Sequence, residues 1–197
     1  VGKRENGGGG LNTWELPLSV DIGERAYRIQ TDYRDILKIL RILADERYHP
    51  RARWLWAVTA FLCTETPPME HFEAACDCLA RFLQGGETPG VCQDSPLIDW
   101  ETDAPEILDG VNAAAGHDIR RDEYLHWWTF LSFFNNIREG RLADLVAIRR
   151  KRKKGGHLTP EEQEYIRRFP HKFRPKETEE DKKHKEKLEA MLRAAEG

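Results

Sequence analysis

The chain has 197 residues, of which 40% are hydrophobic and 33% charged, with a formal net charge of −3. That length suits one domain with a tail or two small ones, and the apolar share supports a real core. The longest apolar stretch, around Trp54–Leu62, is broken by Thr59 and flanked by arginines, too short for a bilayer span. The opening VGKRENGGGG carries positive charge without the apolar run of a secretion signal. These features exclude a membrane protein and predict a soluble, non-secreted chain.

The first elements read as β. Leu16–Ile22 and Ala26–Gln30 flank Gly23-Glu24-Arg25, and Val20, Ile22, Tyr27 and Ile29 alternate with polar residues. That pattern predicts a small hairpin with one apolar face, which must lie against helices because an isolated hairpin is marginal in water. At Asp32 the period changes to that of a helix. Asp32 is a cap, and Tyr33, Ile36, Leu37, Leu40 and Leu43 form a stripe widened by Ile39 and Ile42. Pro50 opens a second helix, Arg51–Thr64, with Trp54, Leu55, Val58, Phe61 and Leu62 inward. Thr66 is the candidate cap of a third, Met69–Gln84, burying Phe72, Cys76, Leu79 and Leu83 and stopped by Gly85-Gly86.

Glu87–Ser95 reads as a polar loop. A fourth helix is expected over Asp103–Ala115, with Ile107, Leu108 and Val111 inward and Gly116 as its stop. Asp122 is taken to cap a fifth, Glu123–Glu139, apolar on nearly every side through Tyr124, Trp127, Trp128, Phe130, Phe133 and Phe134. Such a helix is central in its domain or borders a partner. After Gly140 the composition turns basic. Arg141–Lys154 has a weak stripe of Leu142, Leu145 and Val146 and runs into RRKRKK, Arg149–Lys154. Thr159-Pro160-Glu161-Glu162 then has the capping-box pattern of a helix start. Beyond Lys176 only Leu188, Met191 and Leu192 are large and apolar, too little to hold a helix alone.

The expected fold is therefore mainly α: about five helices, a small N-terminal β-hairpin and a charged C-terminal helical extension. Residues 1–13 read as a flexible segment, 14–140 as the core domain, 141–175 as a basic helical extension and 176–197 as a charged tail. Residues 149–197 carry a net charge of +6 against −9 for the rest, so an acidic core is joined to a basic end.

Chemistry-bearing motifs are sparse. Cys63, Cys76, Cys78 and Cys92 are expected to be free and mostly buried thiols. Cys76 and Cys78 lie about 200° apart on a helix, which is wrong for joint metal ligation. No GxSxG, HExxH or P-loop pattern occurs, and His126 reads as a structural histidine. Asp99, Glu101, Asp103 and Glu106 read as helix N-terminal acids. RRKRKK could neutralise phosphates, but it lacks a recognisable nucleic-acid motif, and the acidic core disfavours a duplex. No catalytic residue, cofactor or metal is therefore assigned, and the chain is expected not to be an enzyme. The candidate contact residues are Trp127, Trp128, Phe133 and Phe134, with Arg149, Arg150, Lys151, Arg152, Lys153 and Lys154.

Two segments together carry a resemblance. One is LPLSVDIGERAYRIQTDYRDILKIL, Leu16–Leu40. The other is LIDWETDAPEI, Leu97–Ile107, followed by GHDI, Gly116–Ile119, and YLHWWTFLSFFNNI, Tyr124–Ile137. This combination resembles a family of small phage proteins, encoded just before the tape-measure gene in the tail module of long-tailed phages and prophages, mostly of Gram-positive bacteria. The resemblance spans most of residues 14–154. It implies a tail-assembly chaperone in the host cytoplasm that keeps the tape-measure protein soluble. Partners would be that protein or other tail proteins, and a homo-oligomer is compatible. The alternatives are a nucleic-acid-binding accessory protein acting through residues 149–154 and a minor structural tail subunit.

Overall fold

The computed structural model describes residues 15–86 and 97–173. The expected flexible start, the polar loop at 87–95, Cys92 and the charged tail lie outside the described residues or almost wholly so. Within them the fold is mainly α, as the sequence implies. It comprises β1 (Ser19–Ile22), β2 (Arg25–Arg28) and seven helices: α1 (Tyr33–Ala44), α2 (Pro50–Phe61), α3 (Phe72–Leu83), α4 (Ala104–Ala115), α5 (Trp127–Asn135), α6 (Arg141–Lys153) and α7 (Pro160–Arg168).

The hairpin forms where the alternation places it. β1 and β2 pair antiparallel, with Val20 opposite Tyr27 and Ile22 opposite Arg25. The two-residue loop Gly23-Glu24 has a positive φ, 63°, only at its first residue. That is the pattern of a II′ turn, whose twist matches the strands and whose first position favours glycine. Val20, Ile22 and Tyr27 are buried against the helices. α1 packs on α2, α2 on α3, α3 on β1, α4 on α5 and α6 on α4. α1 starts as expected, with the Asp32 side chain accepting the Arg34 N–H at 2.9 Å. α4 ends at Gly116, whose φ of 77° takes the chain out of the helix while its N–H still reaches the Asn112 carbonyl. α7 has the full capping box between Thr159 and Glu162.

Three helices differ from their sequence patterns, two of them, α2 and α5, because backbone pairing over long range wins. α2 stops at Phe61 instead of Thr64. From Leu62 the chain runs extended beside the end of β2: the Gln30 N–H donates to the Phe61 carbonyl at 2.7 Å and the Cys63 N–H to the Arg28 carbonyl at 2.9 Å. This leaves Cys63 exposed, not buried. Leu55 also points outward, at 38% exposure, because Ala57, Val58 and Phe61 take the inner face.

α5 begins four residues later than expected, at Trp127, with His126 as its cap in place of Asp122. Residues 124–127 are held by the start of α1 instead. Tyr33 N–H donates to the Leu125 carbonyl at 3.0 Å, and Trp127 N–H to the Thr31 carbonyl at 2.7 Å. The Asp32 carboxylate accepts the Leu125 N–H at 3.2 Å as well as capping α1. α3 is preceded by a 3-10 turn, Met69–His71, without a Thr66 cap. Its inner face is Ala75, Cys78, Leu79 and Phe82, leaving Phe72, Cys76 and Leu83 partly buried.

The main core runs from the hairpin through α1–α5 to Leu142. Leu145, Ile148 and Phe173 form a second apolar cluster with Leu158, Tyr165 and Ile166. What joins the C-terminal helices to the main body is therefore partly polar.

His126 couples α5 to the N-terminal segment and gives the fold a pH dependence. Its Nδ1 accepts the Trp128 N–H at 3.0 Å, so its Nε2 carries the proton donated to the Pro17 carbonyl at 3.1 Å. The ring stands edge-on to Phe82 and Trp128. Burial pushes its pKa below the ordinary 6.5, against a smaller upward pull from the Pro17 carbonyl. Above 6.5 the ring is neutral both folded and unfolded. As pH falls through 6.5 the unfolded chain takes up a proton that the fold refuses, so stability drops. His117, raised by Asp122, works in the opposite sense but is exposed. Thermal melts from pH 8 to 5 should show Tm falling below 6.5, with a shallower fall in His126→Asn, which retains a capping oxygen. An unchanged slope in that variant would assign the dependence elsewhere.

Candidate functional site

Two features of the surface and its underlying polar contacts stand out: an ionic seam beneath the C-terminal helices and an aromatic face on α2. The seam starts at the turn before α4. The Asp99 side chain accepts the N–H groups of Glu101 and Thr102, at 3.0 and 2.8 Å, and shapes that turn. Asp103, at 0% exposure, accepts the Asp99 N–H at 2.8 Å. Its two oxygens meet the fork of Arg149 from α6, one of the contacts being 2.9 Å. Such a bidentate pair is among the stronger charge-assisted contacts. Arg149 also donates to the carbonyls of Leu97 and Lys172. One turn along α4, Glu106, 2% exposed, takes Lys172 Nζ at 2.6 Å and Arg141 from the rim at 3.2 Å. Two buried carboxylates thus face two largely buried cations. In the sequence alone both acids read as helix-terminal residues. Their i, i+3 spacing, which puts both on one face of α4, was the available signal.

The basic run is divided by this arrangement. Arg149 belongs to the seam. Lys151 pairs with Glu162 at 2.7 Å, and Arg152 donates to the Phe173 carbonyl at 3.1 Å with its guanidinium 5.8 Å over that ring. Arg150, Lys153 and Lys154 are exposed on α6 and at its end. The run is therefore not one uniform cationic surface, because Arg149, Lys151 and Arg152 hold the C-terminal unit together.

The aromatic candidates divide too. Trp127 and Trp128 are 1% and 8% exposed, with their indole N–H groups donated to the carbonyls of Leu83 at 3.1 Å and Phe82 at 2.9 Å. They are core side chains tying α5 to the end of α3. Phe133 and Phe134 are partly buried, and Phe134 packs on Trp100 with ring centroids 4.9 Å apart.

Exposed apolar side chains lie elsewhere, among them Leu18, Met69 and a group on and before α2. On α2 and the turn before it, Tyr48 and Trp56 are each 45% exposed and Leu55 is 38% exposed. Tyr48 and Trp56 meet edge to face at 4.8 Å, and Arg47 lies over the Tyr48 ring at 5.7 Å. The Arg47 guanidinium in turn holds the Asp45 carboxyl down at about 2, fixing the rim. A signal for this face was present in the sequence. Trp54, Leu55 and Trp56 are consecutive, and successive helical residues turn by about 100°, so all three cannot face inward.

Among the described residues no group of three or more His, Cys, Asp or Glu side chains is placed to hold a metal ion, and no helix is long and apolar enough to cross a membrane. These features define a mainly α protein whose C-terminal helices are locked to a hairpin-and-helix body by buried ion pairs. The chain belongs to the family described as Bacteriophage Gp15 protein, whose model matches residues 13–174. It is a bacteriophage protein. Neither a curated protein nor a solved structure matches it.

Proposed function

We propose that this phage protein is a non-enzymatic tail-assembly chaperone that binds the tape-measure protein in the host cytoplasm. Family membership supports the phage setting, and the resemblance to proteins encoded beside the tape-measure gene supplies the client. The observation that carries the reading is the half-exposed Tyr48–Leu55–Trp56 face on α2. A preassembled aromatic pair beside a leucine and a basic rim is the composition of a protein-contact hot spot, and an amphipathic client helix would lay its apolar stripe there. Trp127 and Trp128 lie in the core, tied to the end of α3, and are not part of that face.

The test is co-expression with the product of the neighbouring tape-measure gene. The expected result is a soluble tape-measure protein that co-elutes with this chain on sizing, and loss of the complex with Trp56→Glu. A tape-measure protein that stays as insoluble as when expressed alone would overturn the reading.

A further inference from the structure

α2 has more apolar surface than its own fold covers. From Trp54 to Thr64 the chain carries no charge, and apolar side chains fall on every side of the helix. A helix of that kind is enclosed in a core or borders a partner. α1 and α3 pack on it, with Ala57, Val58 and Phe61 taking the inner face. The opposite side is open.

That open side has a definite relief. Residues four apart form ridges along a helix, and two adjacent ridges face outward here. One is Arg51–Leu55–Thr59, exposed throughout; the other is Ala52–Trp56–Ala60, of which only Ala52 is partly covered. In both, a large apolar side chain is followed one turn later by a small one. The hydroxyl on this face is satisfied within the helix, since Thr59 Oγ1 donates to the Leu55 carbonyl at 2.8 Å. Covering it therefore strands no donor.

Charge is graded along the same direction. Arg51 is exposed at the N-terminal end, and among the described residues its guanidinium has no acidic partner. At the other end the Leu62 N–H goes to the Val58 carbonyl and the Cys63 N–H turns away to Arg28. Among the described residues no N–H donates to the Thr59 and Ala60 carbonyls, so the negative end of the helix stays open. A face that is large and positive at one end, small and negative at the other, complements its own copy turned end for end.

We propose that in the client-free protein the outer face of α2 is covered by the same face of a second copy, in a two-fold dimer with antiparallel α2 helices. Leu55 and Trp56 of each copy lie over the partner's Thr59 and Ala60, whose small side chains let the two helices approach. Arg51 donates to the open carbonyls at the end of the other helix. The Tyr48–Trp56 pair is already assembled, so little side-chain ordering opposes the contact. One helix face per copy makes a small, transient interface, with an expected Kd of about 10 µM. The inference rests on the same face as the chaperone reading, though not on the identity of the client: a client helix and the second copy compete for it.

The experiment is analytical ultracentrifugation of the full chain at low salt, from about 1 to about 200 µM, a range that brackets the expected Kd. The mass should rise from one chain to two and stop there, because a two-fold contact closes on itself. Ala60→Glu should weaken the dimer at least ten-fold, and Arg51→Glu, which acts twice by symmetry, about three-fold. Both positions are exposed, and an unchanged Tm shows that the variants remain folded. A chain that stays monomeric throughout, a mass that climbs past two copies, or a dimer indifferent to either substitution overturns the proposal. A monomeric chain that still forms the tape-measure complex leaves the chaperone reading standing. A dimer lost in Ala60→Glu, from a protein that forms no such complex, removes only that reading.

Discussion

Replacing Arg149 with methionine is expected to destabilise the protein by about 3–5 kcal/mol, because it strands a buried charge. Asp103 has no exposure, and its partner's side chain keeps only 16% of its own. In the native fold the carboxylate lies against both arms of the guanidinium, and the Leu97 and Lys172 carbonyls take further N–H groups of the same fork. Methionine matches much of the volume but supplies no donor. Asp103 is then left buried without its counter-charge, and two carbonyls lose their donors as well. For a chain of this size that corresponds to a fall in Tm on the order of 10 °C. The carboxylate's loss is the informative comparison. Asp103→Leu with Arg149→Met removes both charges, so the double variant should be more stable than the sum of the single effects allows. Urea unfolding of the four proteins checks this. Strict additivity would mean that the pair is not coupled.

Much of the architecture was legible because it depends on local period and caps. The alternation Val20-x-Ile22, the Asp32 cap, Gly116 and the Thr159–Glu162 box each specify a neighbour only a few residues away. What was not legible depends on partners far along the chain. Nothing near Thr64 says that residues 61–63 will pair with β2. Nothing near Asp122 says that residues 124–127 will be held extended by Thr31, Asp32 and Tyr33. Aspartate at 32 satisfies two segments more than ninety residues apart, which a reading of helix starts cannot weigh. The site divided in the same way. Arg149 and Arg150 are adjacent and chemically identical, yet the turn of α6 sends one into Asp103 and the other to solvent. Tryptophan behaved likewise: Trp127 and Trp56 both lie in stretches rich in apolar residues, and the packing of α5 on α4 and of α2 on α1 separates core from surface.

That separation gives the second large expected effect. Trp127→Ala should cost about 3–5 kcal/mol, the range for removing a large aromatic from a packed core. Its ring is 1% exposed, lies nearly parallel to Phe130 with centroids 5.3 Å apart and faces Trp100 at 5.9 Å. Truncation opens a cavity among rings carried by α5 and the turn before α4, elements too firmly tied by backbone hydrogen bonds to collapse into it. The Leu83 carbonyl also loses its indole donor. Trp56→Ala should cost at most about 1 kcal/mol, since its side chain is already near half exposed and gives up chiefly its contact with Tyr48. Chemical denaturation of the two variants gives the stabilities, and sizing with the client reports binding. If α2 carries the contact surface, Trp127→Ala loses stability first and binding only through unfolding, whereas Trp56→Ala loses binding while remaining folded. The reverse pattern, with a folded and non-binding Trp127→Ala beside a Trp56→Ala that binds normally, would move the contact surface back to α5.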